Sequence, residues 1–104
     1  MSLIHVENSD SKKISSAKMA VIDFYADWCG PCKVFGPTFE AASKEGEFKD
    51  ISFFKVNVDQ NEELSGKYNV MSIPTTVFLK NGEEVDRRVG LMSGDSFKKI
   101  LKSL

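Results

Sequence analysis

The sequence predicts an α/β fold in which a central mixed five-stranded sheet is flanked by four helices. Segments with the period of strands alternate with segments of helical period in the order β-α-β-α-β-α-β-β-α. The early strand–helix–strand units require parallel pairing through right-handed crossovers. The last two strands are joined by the two-residue turn Asn81-Gly82, which makes them antiparallel. We expect residues 1–104 to form one domain.

Before the first cysteine, two strands and one helix are predicted. Residues 4–6 have the alternation of a short opening strand. Residues 8–18 are polar and begin with the N-cap candidates Asn8 and Ser9, so they predict a surface helix. Residues 19–26 are apolar on both faces, which is typical of an interior strand.

The longest helix is predicted for residues 31–45. Apolar residues recur there at i, i+4 and i+7 and form one stripe: Phe35, Phe39 and Ala42. Pro31 fits the first turn, where its missing N–H is not needed. Pro37 lies inside the helix and is expected to bend it, because proline clashes with the preceding turn.

The remaining elements are three strands and two helices. Residues 51–58 form a second buried strand, residues 61–68 a short helix and residues 75–79 the first arm of the hairpin. The second arm carries three charges at residues 86–88, which suit a sheet edge. The final helix follows the N-cap Ser93 and has an apolar face of Phe97, Ile100, Leu101 and Leu104.

Composition and charge exclude several classes of protein. The chain has 14 basic and 15 acidic residues and a net charge of -1, so it lacks the basic face that binds nucleic acid or an anionic membrane. Its longest apolar run, residues 19–22, is far too short to span a bilayer. The opening Met-Ser-Leu-Ile-His-Val-Glu has no basic segment followed by an apolar one, so no signal peptide is expected. We therefore expect a cytoplasmic protein with no nucleic-acid or membrane partner.

The two cysteines stand three residues apart in Trp28-Cys29-Gly30-Pro31-Cys32, where a buried strand meets a helix. The free N–H groups of a helix's first turn stabilise a thiolate, which is the nucleophilic form of cysteine. We expect Cys29, just ahead of the helix, to be accessible, and Cys32, one turn in, to be more buried. Positions i and i+3 lie close enough for a disulfide. Cys29 is predicted to attack a substrate disulfide, and Cys32 to resolve the mixed disulfide.

The cysteine pair has two other interpretations. Free cysteine often serves as a small apolar core residue, so the pair could be structural. Tetrahedral zinc normally needs four ligands, and the chain offers only one histidine, His5, and no further cysteine. We expect neither a metal nor a cofactor.

At residues 21–33 the sequence closely resembles the active-site segment of thioredoxins, with Val-Ile-Asp-Phe-Tyr-Ala-Asp-Trp-Cys-Gly-Pro-Cys-Lys. The resemblance spans essentially the whole chain. It includes Lys55 in Phe-Lys-Val-Asn-Val-Asp, Ile73-Pro74-Thr75, and Val89-Gly90 before the last helix. Tyr25 departs from the members that carry tryptophan there. The resemblance implies the thioredoxin fold and a thiol–disulfide oxidoreductase that reduces protein disulfides.

Asp23 interrupts an apolar strand, and burial of a carboxylate raises its pKa. The resemblance implies that Asp23 is the proton acceptor for Cys32 and that Lys55 lies nearby and tunes it. It also makes Gly30 and Pro31 the active-site turn between the cysteines. On the residues alone, Asp23 could instead stand at a frayed strand end, and Lys55 could extend its ammonium group into water from one.

The resemblance also implies a substrate groove around a cis-proline, Pro74, opposite the cysteines. The backbone of Ile73 would pair there with an extended substrate segment, and Trp28, Val89 and Gly90 would form the walls. The base rate for X–Pro bonds favours trans, so the sequence alone would make Pro74 the start of a strand. A random tryptophan is more often a core residue.

The implied partners are an NADPH-dependent flavoprotein, thioredoxin reductase, and disulfide-bearing clients such as ribonucleotide reductase, peroxiredoxins and methionine sulfoxide reductases. A monomer is expected. One rival function is that of an oxidase or isomerase of an oxidising compartment, which usually has histidine between its cysteines and needs a signal peptide. Another is a binding module that has the thioredoxin fold but no redox activity. Cells carrying the Cys29→Ser variant of such a module would keep the native phenotype.

Overall fold

The computed structural model describes residues 3–104, where five strands form one mixed sheet. The strands are β1 (Leu3–His5), β2 (Met19–Tyr25), β3 (Ser52–Asn57), β4 (Thr75–Lys80) and β5 (Glu83–Val89). Their spatial order is β1-β3-β2-β4-β5, with β3 parallel to both β1 and β2, and β4 antiparallel to both β2 and β5. The predicted fold class is confirmed. Met1 and Ser2, which open the segment considered for a signal peptide, lie outside the described residues.

Within residues 3–104, four α-helices accompany the sheet, as predicted. They are α1 (Ser11–Ser16), α2 (Gly30–Ser43), α3 (Glu62–Lys67) and α4 (Gly94–Lys102). Pro31 lies in the first turn of α2, and Pro37 lies in its interior. Ser93 is the N-cap of α4, since its hydroxyl accepts a hydrogen bond from the Ser96 backbone N–H at 3.1 Å. No helix within residues 3–104 is long and apolar enough to cross a bilayer.

The first helix is shorter than predicted, and its predicted N-caps are wrong. Residues 8–10 form a 3₁₀ turn, and α1 begins only after Asp10. The Asn8 side chain caps a different helix, because its Oδ1 accepts from the backbone N–H of Leu64 in the first turn of α3. The Asn61 side chain accepts in return from the Asn8 backbone N–H. Asn8 and Leu64 are 56 residues apart, so no local sequence pattern predicts this cap.

The sheet separates two apolar layers. One layer contains α1 and α3, with Ile14, Ile22, Phe24, Leu64 and Val77 among its buried residues. The other lies under α2 and α4 and is built from the aromatic residues Phe35, Phe39, Phe53, Phe78 and Phe97. Because successive residues of a strand point to opposite faces, β2 turns Val21 and Asp23 toward α2. The strand therefore places one carboxylate inside the aromatic-rich layer.

The hairpin turn has the backbone that its two residues favour. Asn81 and Gly82 both have positive φ, at 53° and 82°, which is the type I′ arrangement that suits the twist of a hairpin. A Cβ on Gly82 would lie 2.7 Å from the Ser15 carbonyl oxygen. Glycine is thus required both by the turn and by its close approach to α1.

Candidate active site

Both cysteines lie at the start of α2, directly after the buried strand β2. Cys29 is the N-cap residue, and Gly30 and Pro31 are the first two residues of the helix. The structure holds Cys29 and Cys32 as a disulfide, with their Cα atoms 5.3 Å apart. The Cys29 Sγ also accepts a hydrogen bond from the Cys32 backbone N–H at 3.3 Å. The sulfur thus occupies the place where the N-terminal N–H groups of a helix stabilise negative charge.

The two cysteines are equally buried, so the expected accessibility of Cys29 is wrong for the disulfide form. Each is 5% exposed. Cys29 packs in one cluster with Ala26 and Cys32, against which Tyr25, Val58 and Ile73 also lie. The low exposure of Cys29 goes with this packing, which brings in Val58 and Ile73 from distant parts of the sequence.

Asp23 lies in the interior of β2 and is fully buried. Its direct neighbour on β3 is Lys55, whose Nζ lies 3.8 Å from the carboxylate Oδ2. At that distance the two groups attract each other without a hydrogen bond. Neither carboxylate oxygen has a hydrogen-bond partner among residues 3–104.

Burial dominates the titration of Asp23. Loss of water around the carboxylate raises its pKa from 3.8 to about 6, and the positive charge of Lys55 offsets only part of that rise. A carboxyl group that titrates near neutral pH can both accept and release a proton under physiological conditions.

Lys55 contacts more than its carboxylate partner. Its Nζ lies 4.5 Å from the centre of the Tyr25 ring, in a cation–π contact. A cleft of about 500 Å³ is lined by both Lys55 and Cys32. Gly36 of α2 leaves space in this cleft, since a Cβ there would come within 3.6 Å of the Lys55 Nζ. The cleft gives the region between the ammonium group and Cys32 access to solvent.

Four residues expected to form the groove meet where β4 begins and β5 ends: Ile73, Pro74, Val89 and Gly90. The Ile73–Pro74 peptide bond is cis, and the Ile73 side chain packs against the cysteine cluster. The Pro74 carbonyl accepts a hydrogen bond from the Gly90 backbone N–H at 2.8 Å, and Val89 pairs with the residue after Pro74. Gly90 has φ at 94°, a conformation that glycine adopts freely. The start of β4 and the end of β5 are therefore tied together beside the cysteines.

Trp28 is a surface residue. Its side chain is 70% exposed, and the indole Nε1–H donates to Asp59 Oδ2 at 2.7 Å. Asp59 is itself in the turn after β3, where its backbone N–H bonds to the Asn57 side chain. The sequence analysis did not identify Asp59, since 31 residues separate it from its partner.

An apolar depression extends from Trp28 along the segment that precedes Pro74. It measures about 410 Å³ and is lined by Trp28, Val58, Val70, Met71, Ser72 and Ile73. Met71 is 93% exposed, and Val89 and Leu91 are also exposed. Exposed apolar residues that line one depression, as Trp28 and Met71 do here, are typical of a contact surface for another chain. The sequence analysis assigned none of Val58, Val70 and Met71 to such a surface.

Comparison with known proteins gives one family. Residues 2–103 match the family model described as Thioredoxin. A thioredoxin of Mycoplasmoides gallisepticum is 45% identical over 89 residues, which cover 86% of this chain and 87% of that protein. A thioredoxin of Bacillus subtilis is 36% identical over 101 residues, covering 97% and 96% of the two chains. The crystal structure of Malassezia sympodialis thioredoxin matches with a TM-score of 0.88 at 31% identity, covering 99% of this chain and 93% of that one.

The raised pKa predicts how Asp23 affects stability. The folded protein holds the Asp23 proton up to about pH 6, whereas the unfolded chain releases it near pH 4. Asp23 therefore lowers the free energy of unfolding as the pH rises through this window, by up to about 3 kcal/mol at pH 7. We expect Asp23→Asn to be more stable than the native chain at pH 7, in urea unfolding of the disulfide form.

That gain should shrink as the pH falls from 7 to 4. The exposed Asp50 provides the matched control, and Asp50→Asn should show no such pH-dependent gain. If the stability gained by Asp23→Asn were constant from pH 4 to 7, the raised pKa of Asp23 would be contradicted.

Proposed function

Because the chain belongs to the thioredoxin family and is a thiol–disulfide oxidoreductase, we propose that it reduces protein disulfides through Cys29 and Cys32. The observation that carries the proposal is the position of this pair. The Cys29 sulfur caps α2, and Cys32 lines the cleft that reaches Lys55. A disulfide reductase needs one activated thiolate and a second thiol that can be deprotonated on demand.

In the first step, the Cys29 thiolate attacks one sulfur of a client disulfide. A Cys29–client bond forms, the client disulfide breaks, and the second client sulfur leaves as a thiolate. The Cys32 N–H that bonds to the Cys29 Sγ in the disulfide form supports this role, because the same donor can stabilise the free thiolate.

In the second step, Cys32 resolves the mixed disulfide. Asp23 accepts the Cys32 proton, water in the cleft can carry it, and the Cys32 thiolate then attacks the Cys29 sulfur. The Cys29–Cys32 bond forms, the Cys29–client bond breaks, and the client leaves with two more electrons than it brought. Lys55 keeps Asp23 from being too strong a base, since its charge opposes the effect of burial on the pKa.

The client segment binds beside the disulfide in extended form. Gly30 and Pro31 form the turn that presents the cysteines, and the Ile73 backbone offers hydrogen bonds to the client main chain. Trp28, Pro74 and the Val89–Gly90 segment form the walls of this groove. Three observations support the assignment: Trp28 and Val89 are exposed, Ile73 packs against the cysteine cluster, and the Gly90 N–H donates to the Pro74 carbonyl.

The family acts on disulfide clients and is itself reduced by a reductase. For this chain we propose an NADPH-dependent thioredoxin reductase as the electron source. The proposed clients are ribonucleotide reductase, peroxiredoxins and methionine sulfoxide reductases, encountered by a monomer in the cytoplasm. Purified chain with such a reductase and NADPH should reduce a protein disulfide catalytically, which NADPH absorbance reports.

The two cysteines should fail in different ways when replaced. Cys29→Ser removes the attacking sulfur and should abolish reduction of a protein disulfide such as that of insulin. Cys32→Ser keeps the first step and should accumulate a mixed disulfide with the client, detectable by mass and reversed by dithiothreitol. Equal trapping by both variants, or turnover by Cys29→Ser, would contradict the assigned roles.

Loss of the proton acceptor should change the pH profile. Asp23→Asn leaves Cys32 to ionise unaided, and an ordinary thiol has a pKa of about 8.5. We expect turnover at pH 7 to fall about tenfold and to recover as the pH approaches 9. The exposed control Asp50→Asn should keep the native profile. Native turnover by Asp23→Asn at pH 7 would remove Asp23 from the mechanism without touching the cysteine roles.

A further inference from the structure

Polar side chains form one row across all five strands. The register aligns His5 with Lys55, Lys55 with Asp23, Asp23 with Thr76, and Thr76 with Arg88. Directly paired residues point to the same face of a sheet, so Thr76 faces α2 beside Asp23. The mechanism above uses Lys55 on one side of the carboxylate and leaves Thr76, on the other side, without a function.

The Thr76 hydroxyl is buried without a partner. The residue has 0% exposure, and its Oγ1 makes no hydrogen bond within the described part of the chain. Both Asp23 oxygens are unpaired in the same way. A buried polar group without a partner is costly, and most such groups in folded proteins are satisfied. Here an unpaired donor and an unpaired acceptor occupy opposed positions on adjacent strands.

Valine has nearly the same shape as threonine and is likewise favoured in strands. At a fully buried strand position it would avoid the cost of a hydroxyl without a partner. A threonine at this position therefore points to use of the hydroxyl itself.

We propose that Thr76 is a positioning residue of the redox site, whose hydroxyl donates a hydrogen bond to the Asp23 carboxylate whenever that carboxylate is ionised. Cβ atoms of directly opposed residues in an antiparallel pair lie roughly 5 Å apart. Rotation about the Thr76 χ1 bond can therefore bring its oxygen within reach of the carboxylate. The inference builds on the role proposed for Asp23 as the proton acceptor.

The hydrogen bond would act in the same direction as Lys55. Both favour the charged carboxylate, and together they oppose burial. Other charged or titratable groups line the cleft beside Lys55 or pair with Thr76 in the sheet: Tyr25 on β2, Asp27 in the loop, Cys32, Lys33 and Glu40 on α2, and Arg88 on β5. Arg88 is half exposed and paired with Asp86, so it does not replace the Thr76 donor.

The test is the titration of the Asp23 carboxyl carbon by NMR in the disulfide form, where neither cysteine titrates. Thr76→Val removes the donor and keeps the shape, so the pKa of Asp23 should rise by about one unit. Thr76→Ser keeps a hydroxyl and should titrate like the native chain. Thr38→Val makes the same chemical change on α2, where the Thr38 methyl lies against Gly94, and should leave the Asp23 titration unchanged.

An Asp23 pKa that stays the same or falls in a folded Thr76→Val variant would overturn the proposal. So would an equal rise in Thr76→Val and Thr76→Ser, because that pattern reports packing rather than the hydroxyl. The readout does not depend on turnover. If Asp23→Asn proves fully active, the proposed function of Asp23 fails, while the hydrogen bond from Thr76 is still decided by the titration.

Discussion

The junction between β2 and α2 is the constraint on which the rest of the site depends. A strand buried on both faces ends at Tyr25, and four residues later the Cys29 sulfur accepts a hydrogen bond from the first turn of α2. The strand fixes where the helix begins, and the helix supplies the N–H groups and the partial positive charge that favour a thiolate. Cys32, one turn further, is held at disulfide distance by the same backbone. The chemistry of the pair thus follows from the way two regular elements meet.

Asp23 shows that the site is built at a cost in stability. The other interior residues of β2 are apolar and fill the two layers of the core. Burial of a carboxylate among them raises its pKa to about 6 and leaves its oxygens without hydrogen-bond partners within residues 3–104. A carboxyl group that transfers protons under physiological conditions needs a pKa near neutral pH. Residues whose pKa is shifted in this way concentrate in active sites. Lys55 on one neighbouring strand reduces this loss of stability by favouring the ionised carboxylate. In our proposal, Thr76 on the other neighbouring strand does the same.

The spacing of apolar residues and the turn residues were sufficient to predict the sheet, the four helices and the hairpin. Both signals are contained in short stretches of the sequence. Resemblance to a family predicted the roles of Asp23, Lys55 and a cis-proline. The structure has Lys55 beside Asp23, a cis bond before Pro74, and Ile73 against the cysteine cluster. Contacts between distant segments were missed. Asn8 caps α3, and Arg87, expected only as an edge charge, also donates to the Tyr68 and Asn69 carbonyls at the end of that helix. The burial of Cys29 was also missed, since Val58 and Ile73, which pack against its cluster, are distant in sequence.

The most direct test of the central claim is the reduction potential of the Cys29–Cys32 couple, measured by equilibration against glutathione or dithiothreitol. A protein that reduces disulfides must have a lower reduction potential than its clients, so its own disulfide must be more stable towards reduction than theirs. Our account predicts a value near the roughly -270 mV that is typical of thioredoxins. A value between about -180 and -120 mV would instead make the chain an isomerase or an oxidant, and it would contradict both the proposed direction of electron flow and the proposed cytoplasmic location.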